Sequence, residues 1–455
     1  MGNVAVPKTV PVDNNERLPQ LIRCCLPKTT NVAKHSNNGR PNNSLRFTTQ
    51  LTSTTYHRNE PRLNRLSNMV CDADPIAYIN AIVRLFALVR AFAMAALCLI
   101  PGLLPTTVIK AQTVLTSDRI DGTPVIDRLD ASDLATGQVH RFWFRVSDNA
   151  IGQAWYVPVI VMKGAKPGHR LLLTAGIHGD ELNGIDVIHR LVGKIDLARL
   201  SGTIVAVPGL NTPGLLHHTR AFTPGDGADG ANLNRLMPGD PASNDRAVRY
   251  AGRLWSQVLR PNADTAIDLH TQSRGTAYPM YVFADSARAR AIGELIGPDM
   301  IKIDPGVAGS IETEMLKSGV PAITLELERP EMFDRRVIGR AVDGIQRVMV
   351  DLKMLPGGSA PPRKVTPYIG DTLARVGTSR GGFATLLVDL GDSVAKGQEV
   401  ATIADPFGRI VERLTAPEAG RVSTIATDPL RDPGDTVMRI LYTAHSTSSD
   451  TPPSP

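Results

Sequence analysis

The chain has 455 residues, 42% of them hydrophobic and 21% charged, which is typical of a soluble globular protein with room for two or three domains. Its net charge of +6 comes from residues 1–115, which contain 13 Lys and Arg against 5 Asp and Glu, whereas residues 116–455 contain 37 against 39. The part expected to fold is therefore not basic, and with 5% aromatic residues overall we expect no nucleic-acid partner.

All cysteines lie before residue 100, at Cys24, Cys25, Cys71 and Cys98. The rest of the chain can form neither a disulfide framework nor a cysteine-ligated zinc site. Any metal site in that part must therefore use His, Asp and Glu.

Residues 1–68 are rich in Asn, Thr, Arg and Pro and show no sustained periodicity, so we predict that they are disordered. This unusual composition also allows a second hypothesis, in which translation begins at Met69.

In residues 69–111, basic residues come first, an apolar stretch follows, and a small residue comes last, which is the order typical of a secretory signal. Arg84 and Arg90 precede an apolar stretch at 91–109, after which a small residue is available for cleavage. We therefore predict export to the bacterial periplasm or the extracellular space. An uncleaved membrane anchor is the alternative, with membrane contact only through residues 84–109, and an organelle transit peptide is a third hypothesis.

From residue 139 onward, segments typical of strands alternate with segments typical of helices. Strands are predicted, from their Val, Ile and aromatic content, at 139–148, 154–164, 169–176, 203–211, 263–270, 279–285 and 321–328. Helices are predicted at 182–195, 245–259, 286–297 and 333–355. The inward side of helix 245–259 is expected to carry Val248, Leu254 and Val258. This alternation predicts an α/β fold with a largely parallel sheet over residues 116–355.

The stretch LLLTAGIHGDE, at residues 171–181, places His178 and Glu181 where a strand ends and a helix begins. A His and a carboxylate three residues apart can turn toward one point, and both are zinc ligands. Taken alone, the stretch is equally an ordinary strand-to-helix loop with an acidic residue in the first turn. Asp180, between the two, has no role that its position predicts.

His270 closes the strand AIDLH, at the same edge of the predicted sheet as His178. Asp268 lies two residues earlier and therefore on the same side of the strand. Its carboxylate is placed to orient a metal-binding imidazole, either that of His270 or that of His178.

The strand ITLELE, at 323–328, is apolar on one face and carries Glu326 and Glu328 on the other. A carboxylate beside a metal ion can take a proton from bound water and pass it to a leaving group. The alternative is an edge strand with one solvated face, and we expect at least one of the two glutamates to be solvated in this way.

A long polar loop at 217–240 contains Arg220, Asn232, Asn234 and Arg235. Loops of this length are usually functional or disordered. Arginine is suited to the bidentate binding of a substrate carboxylate, although a solvated basic loop would have a similar composition.

Four motifs in order, GIHGDE, NLNR-x-x-PG, DLHT and AITLE, resemble the succinylglutamate desuccinylase/aspartoacylase family. The resemblance covers about residues 120–445. It implies the zinc carboxypeptidase-like fold, with a mixed, largely parallel sheet and helices on both faces. It also implies a zinc-dependent hydrolase that acts on carbon–nitrogen (amide) bonds.

Carried over to this chain, the family's zinc ligands correspond to His178, Glu181 and His270, with one Zn²⁺ per chain. The catalytic glutamate corresponds to Glu326. The implied mechanism is attack of a metal-bound water on an acyl carbonyl, with this glutamate as general base and then general acid.

The contacts to the substrate carboxylate correspond to Asn234 and Arg235 and, more loosely, to Arg220. One position departs from the family pattern, because Glu328 stands where the family often has Gly. We expect a second carboxylate near the pocket to disfavour strongly acidic substrates.

Residues 355–364 are predicted as a linker from their Pro, Gly and Ser content. Residues 365–443 resemble a biotinyl/lipoyl-type barrel-sandwich, but the corresponding hairpin, ADPFGRIVERLTAP, lacks the lysine that such carriers modify. We therefore predict a structural β-domain, with substrate selection or homo-oligomer assembly as hypotheses for its role. The tail at 445–455 is predicted to be disordered.

The leading functional hypothesis is a deacylase that cleaves an N-acyl amino acid or a similar small carboxylate-bearing substrate. A zinc carboxypeptidase acting on short peptides is the second hypothesis. A non-catalytic binding protein is the third, although the sequence keeps all the residues that the catalytic chemistry requires.

Overall fold

The computed structural model describes residues 112–222 and 230–444. The predicted disordered segment 1–68, the signal-like segment 69–111 and the tail 445–455 lie outside the described residues. In the parts of the chain that are described, none of the helices is both long enough and apolar enough to cross a membrane.

The described chain contains twenty strands, six α-helices and three short helices of other types, at Leu233–Arg235, Trp255–Leu259 and Arg260–Asn262. The strands are β1 (Val114–Ile120), β2 (Thr123–Arg128), β3 (Gln138–Asp148), β4 (Ala154–Lys163), β5 (Lys166–Ala175), β6 (Ser201–Pro208), β7 (Thr265–His270), β8 (Thr276–Ala277), β9 (Met280–Ala284), β10 (Met300–Ile303), β11 (Ala322–Leu327), β12 (Tyr368–Gly370), β13 (Thr372–Gly377), β14 (Gly382–Leu386), β15 (Ser393–Val394), β16 (Glu399–Ala404), β17 (Ile410–Thr415), β18 (Gly420–Ala426), β19 (Leu430–Arg431) and β20 (Thr436–Tyr442). The α-helices are α1 (Asn183–Lys194), α2 (Thr212–His217), α3 (Arg246–Leu254), α4 (Ala287–Ile296), α5 (Ile311–Lys317) and α6 (Arg335–Asp351).

Eleven strands form one large mixed sheet in the order β1-β2-β3-β4-β6-β5-β7-β11-β9-β10-β12. The central neighbours β6, β5, β7 and β11 are parallel to one another. Antiparallel pairs occur between β1 and β2, β3 and β4, β4 and β6, and β9 and β11. The predicted mixed α/β sheet is therefore confirmed.

Helices cover both faces of this sheet because its central strands are apolar on both sides. Along β5, Leu171 and Leu173 pack into the layer formed by α1, α4 and α6, whereas Leu172 packs into the layer that contains α3 and α5. Each of these leucines is fully buried. Burial of one such side chain contributes roughly 1.5–3 kcal/mol, so this central strand is a major source of stability.

The starts of three helices follow from capping side chains. Asp245, Ser286 and Asp334 accept hydrogen bonds from the first free backbone N–H groups of α3, α4 and α6.

The expectation that Val248 faces inward was wrong, because this residue is only half buried. The helix starts at Arg246. Ala247 and the residues one turn after it therefore face the sheet instead.

The C-terminal residues form two small antiparallel sheets, one of β13, β20, β18 and β15 and the other of β17, β16, β14 and β19. Their shared apolar core includes Val400, Ile403, Val422 and Ile440. Two strands connect this part to the rest of the chain. β12 pairs with β10 at the edge of the large sheet, although it lies in the range predicted as the β-domain, and β8 pairs with β18.

Candidate metal centre and active site

Three parallel strands bring their carboxyl ends together at the centre of the large sheet. β5 leads into the loop that carries His178, β7 ends at His270, and β11 contains Glu326. Glu326 lies directly opposite His270 in the register of these two strands. Because sites in α/β sheets form at this edge, the topology itself places these side chains next to one another.

His178, Glu181 and His270 form a buried cluster. Oε1 of Glu181 lies 2.8 Å from Nδ1 of His178, and Oε2 lies 2.9 Å from Nδ1 of His270. One potential ligand atom from each residue lies within 4.8 Å of the other two. The geometry therefore brings together the three residues that the sequence predicts as metal ligands.

Each imidazole is held from its far side by an oxygen atom. Nε2 of His270 lies 2.9 Å from Oδ2 of Asp268, and Nε2 of His178 lies 3.1 Å from Oδ1 of Asn232. Nδ1 of each ring faces Glu181 and Nε2 faces a second acceptor, so a metal ion bound on the Nδ1 side would leave the ring proton at Nε2, where Asp268 or Asn232 accepts it. Asp268 thus contacts the ring of His270, whereas the ring of His178 is contacted by Asn232.

The donor set fits a divalent metal ion. Two imidazole nitrogens and one carboxylate converge in a buried position, and zinc takes such ligands in catalytic sites with three protein ligands. Other divalent ions also accept nitrogen and carboxylate ligands. The residues present are therefore compatible with the metal ion that the family resemblance implies.

The charges of the cluster are coupled. Burial alone would raise the pKa of Glu181, but the two neighbouring imidazoles hold this pKa well below its ordinary value. Burial would lower the pKa of His270, but Asp268 and Glu181 raise it well above the ordinary value. The cluster thus keeps Glu181 in the carboxylate form, which is the form that binds a metal ion.

The loop after His270 supplies further donors to Glu181. The backbone N–H of Thr271 donates to Oε2 at 3.1 Å, and the hydroxyl of Ser273 donates to Oε1 at 3.0 Å. These bonds hold the carboxylate in one orientation between the two imidazoles.

Asp180 anchors the same loop from the other side. Its Oδ1 lies 3.2 Å from the Ser273 hydroxyl, and its Oδ2 accepts a hydrogen bond from the backbone N–H of Arg274 at 3.3 Å. Asp180 is 3% exposed, so these contacts are shielded from water. The residue for which the sequence suggested no role thus ties the loop to the HGDE motif.

Gly179 has a steric role in the motif. A Cβ atom at this position would lie 2.0 Å from the backbone carbon of Gly214 and 2.2 Å from its carbonyl oxygen. The backbone N–H of Gly179 also donates to the carbonyl of Thr219 at 2.9 Å. Only glycine allows the loop between His178 and Glu181 to approach the α2 segment this closely.

Glu326 is buried beside the cluster and is 6% exposed. Its Oε2 has no hydrogen-bond partner among the described residues. Burial raises the pKa of Glu326 to about 8, an effect that His270 opposes and Glu181 reinforces. The carboxyl group is therefore close to the predicted metal ligands and can exchange a proton near neutral pH.

A cavity of about 370 Å³ opens onto these side chains. Its walls include His178, Glu181, His270 and Glu326, together with all three residues predicted to bind the substrate, which are Arg220, Asn234 and Arg235. A volume of this size suits a ligand of amino-acid dimensions.

Two arginines at this cavity differ in their surroundings. Arg220 donates to Oε1 of Glu181 at 3.0 Å and to the Ser273 hydroxyl at 2.6 Å. Arg235 donates to the backbone oxygen of Asn234, and burial together with the charge of Arg220 lowers its pKa. Two guanidinium groups close enough to repel each other form a positive region that attracts an anion.

Glu328 does not line this cavity. Its backbone has a φ of +65°, which breaks the strand alternation, and both of its carboxylate oxygens accept from Nη2 of Arg336, at 2.6 and 2.7 Å. The expectation that it places a second carboxylate near the pocket was therefore wrong.

Three contributors to the site were not identified from the sequence. Thr271 is the last residue of the DLHT motif and Ser273 lies two residues after it, in a polar run that was an available signal. Glu312 lines the cavity from α5. The sequence signal for this helix was Ser310, a typical N-cap residue that precedes an apolar residue.

Comparison with known proteins confirms the family resemblance. Residues 167–352 match the model of the succinylglutamate desuccinylase/aspartoacylase catalytic domain. The chain is 28% identical over 274 residues to the N-alpha-acetyl-L-2,4-diaminobutyric acid deacetylase of Halomonas elongata, covering 57% of this chain and 77% of that protein. It is 31% identical over 209 residues to the succinylglutamate desuccinylase of Pseudomonas paraeruginosa, covering 42% and 59% respectively.

Solved structures share the fold. The product-bound ectoine utilization protein of Ruegeria pomeroyi matches with a TM-score of 0.60 and 22% identity, covering 68% of this chain and 98% of that one. A succinylglutamate desuccinylase/aspartoacylase structure from Rhodobacter sphaeroides matches with a TM-score of 0.60 and 21% identity, covering 69% and 98%.

Proposed function

We propose, from the match of residues 167–352 to the catalytic domain of the succinylglutamate desuccinylase/aspartoacylase family, that this chain is a zinc-dependent deacylase. Its substrate is an N-acyl amino acid or a similar small carboxylate-bearing amide. The observation that carries the proposal is the buried His178–Glu181–His270 cluster, which shares one cavity with Glu326. The coarser statement, that the chain hydrolyses amide bonds, rests on a deacetylase and a desuccinylase among its relatives.

In this proposal His178, Glu181 and His270 hold one zinc ion per chain. When bound, the ion supplies a positive charge that polarises the acyl carbonyl and acidifies water. Asp268 and Asn232 keep the two imidazole rings oriented through their Nε2 atoms. Glu181 stays ionised because it lies between the two imidazoles and accepts several further hydrogen bonds.

Glu326 moves the proton. Its free Oε2 takes a proton from the attacking water and then delivers it to the leaving nitrogen. A pKa of about 8 allows the carboxyl group to hold that proton near neutral pH, and a nearby cation would lower this pKa toward the ionised form that begins the cycle.

Arg220 and Arg235 hold the substrate carboxylate. Both line the cavity, and a guanidinium group matches the geometry of a carboxylate. Asn234 positions this part of the wall, because its Oδ1 accepts a hydrogen bond from the backbone N–H of Ile311 at 3.2 Å.

The first test is Glu326→Gln in the zinc-loaded protein, assayed on a panel of N-acyl amino acids. Loss of the proton carrier should lower kcat by roughly 10²–10⁴-fold while the zinc content stays the same. Glu328→Gln is the matched control, because that side chain lies outside the cavity and should leave kcat unchanged. Full activity of Glu326→Gln would refute the assigned role.

The metal is tested separately. Removal of zinc by a chelator should abolish hydrolysis, added zinc should restore it, and His270→Ala should bind zinc much more weakly than the wild-type protein. Active protein that contains no divalent metal would overturn the proposal.

The same panel should include short peptides. Faster cleavage of peptides than of N-acyl amino acids would favour the carboxypeptidase hypothesis. Binding without turnover of any panel member would favour a non-catalytic binding protein.

Export through residues 69–111 is a separate proposal, supported by their signal-like order of residue types. Fractionation of cells that express the full chain tests it, with the mature N-terminus determined by mass spectrometry. A soluble cytoplasmic protein with these residues intact would contradict it.

A further inference from the structure

The carboxyl group of Glu312 lies in the wall of the cavity, and one of its two oxygens has no hydrogen-bond partner among the described residues. The residue lies in α5 and is 5% exposed. Its Oε2 accepts a hydrogen bond from the hydroxyl of Thr324 at 2.7 Å, whereas its Oε1 is buried and has no partner among the described residues. A buried polar atom without a partner is destabilising, and a suitable ligand atom would remove this cost.

The location of Glu312 places it near the reaction. Thr324 lies two residues before Glu326 on β11, so both side chains are on the same face of the strand. Glu312, Thr324 and Glu326 line the same cavity. A substrate that reaches Glu326 can therefore extend part of its structure to Glu312.

The charges around Glu312 favour a cation. Asp304, which also lines the cavity, already pairs with Lys302 and accepts the backbone N–H of Gly306. Among the described residues, no Lys or Arg pairs with Glu312 itself. Burial raises its pKa to about 8, and the negative charges of Asp304 and nearby aspartates add to this effect. A ligand cation would lower this pKa, and the ionised carboxylate would accept its hydrogen bond through Oε1.

Family membership does not decide what occupies this position. One relative is named for a substrate with a diaminobutyrate part, which carries a side-chain amine, and another for a substrate with a glutamate part, which carries a side-chain carboxylate. An anionic side chain at Glu312 would meet a second acidic group, whereas an ammonium group would meet its complement.

We propose, building on the proposed deacylase function, that Glu312 determines specificity by accepting a hydrogen bond from a primary ammonium group at the end of the substrate's amino-acid side chain. The preferred substrate class is then an N-acyl diamino acid. Arg220 and Arg235 hold its carboxylate, and Glu312 holds its side-chain amine.

The test compares two acetylated amino acids that differ by one amine. Zinc-loaded full-length protein is assayed with Nα-acetyl-L-2,4-diaminobutyrate and with Nα-acetyl-L-2-aminobutyrate. The wild-type protein should prefer the first in kcat/KM, and Glu312→Gln should reduce this preference by about 10–100-fold, the range expected for one hydrogen bond to a charged group. Glu314→Gln, on the same helix but outside the cavity, is the matched control and should retain the preference.

A conservative variant provides a second readout. Glu312→Asp withdraws the carboxylate by one methylene, so it should favour the longer substrate Nα-acetyl-L-ornithine over the diaminobutyrate compound. This shift in chain length would not follow from a merely structural role, and it also decides the matter if Glu312→Gln does not fold.

Calorimetry separates this inference from the proposed function. Free L-2,4-diaminobutyrate should bind the wild-type protein more tightly than L-2-aminobutyrate does, and Glu312→Gln should remove the difference. If no N-acyl amino acid is hydrolysed but this binding pattern appears, the deacylase proposal fails and the role of Glu312 stands. Equal losses on both substrates, no loss, or a preference for Nα-acetyl-L-glutamate would overturn the role of Glu312.

Discussion

At the scale of single residues, the sequence indicated the candidate metal ligands better than the residues that surround them. His178, Glu181 and His270 follow strands whose pattern is readable, and parallel strands end at a common edge, so their meeting could be predicted. Ser273 and Glu312 come from a loop and a short helix whose orientation depends on distant contacts. No local pattern reports such contacts.

Glu328 shows why strand alternation fails at a strand end. The pattern ITLELE places Glu326 and Glu328 on one face only if the extended backbone continues through both residues. β11 ends at Leu327, and the positive φ of Glu328 turns its side chain to Arg336. A left-handed backbone conformation at a glutamate is uncommon, and the sequence carries no signal for it.

The raised pKa of Glu312 predicts a pH dependence of stability. Between its ordinary value of 4.5 and the folded value of about 8, the folded chain binds a proton that the unfolded chain has released. This contribution is complete below pH 4.5, and the free energy of unfolding falls as the pH rises through the window to 8. Glu312→Gln lacks this titration, so the free energy of unfolding of the wild type relative to that of the variant should fall with rising pH, by at most about 1.4 kcal/mol per pH unit.

Urea unfolding of both proteins at pH 5, 6.5 and 8 measures this difference. Glu326 titrates in the same range but is present in both proteins, so its contribution cancels. A difference that does not change with pH would mean that Glu312 is already ionised in the folded protein.

At the scale of elements, the regular strands and helices were predictable because their apolar residues recur with the period of a strand or of a helix. The predicted helix 286–297 agrees with α4 to within one residue at each end, since Ser286 caps its start and Gly297 adopts the left-handed conformation after its end. β8 has only two residues and exists because of its tertiary pairing with β18, which local propensity does not reveal.

The pairing of β8 with β18 links the C-terminal sheets to the candidate metal centre. Six residues after His270, Thr276 pairs with Ala426, and the backbone N–H of Thr427 donates to the carbonyl of Gly275 at 3.0 Å. The segment between them carries Ser273, which holds Glu181. Disruption of this pairing should therefore disturb the positions of the predicted metal ligands.

Thr427→Pro tests this link, because proline lacks the N–H group that binds Gly275. Loss of one hydrogen bond should cost about 1 kcal/mol of stability, and the loosened loop should lower zinc affinity, measured by competition with a chelator. Thr427→Ala keeps the N–H group and is the control. Equal zinc affinity in the two variants would show that the loop does not depend on this pairing.

At the scale of the whole molecule, the catalytic sheet and the C-terminal sheets share an apolar cluster. Tyr278, Tyr281 and Met300 pack with Leu441 of β20, and Tyr278 also lines the substrate cavity. The sequence predicted a separate β-domain after a linker, but it did not show that this domain supports a wall of the site. The contacts join residues more than 130 positions apart.

A protein that ends at residue 364 should therefore lose most of its deacylase activity although all the proposed catalytic residues remain. Exposure of Tyr281 and Met300 should also lower its stability, by at least about 2 kcal/mol. A protein that ends at residue 444 is the control and should match the full chain. Activity assays, zinc content and thermal unfolding of both proteins provide the comparison, and full activity of the shorter protein would refute the coupling.

Gly179 and Gly214 also limit how this site can change over evolutionary time. A Cβ at Gly179 would collide with the backbone of Gly214, and a Cβ at Gly214 would lie 2.4 Å from the side chain of Asn211. Because both positions already have the smallest side chain, no compensating substitution to a smaller residue is available at either. New specificities in this scaffold should therefore arise through positions such as Glu312 in the cavity wall, where side chains can be exchanged without moving the backbone.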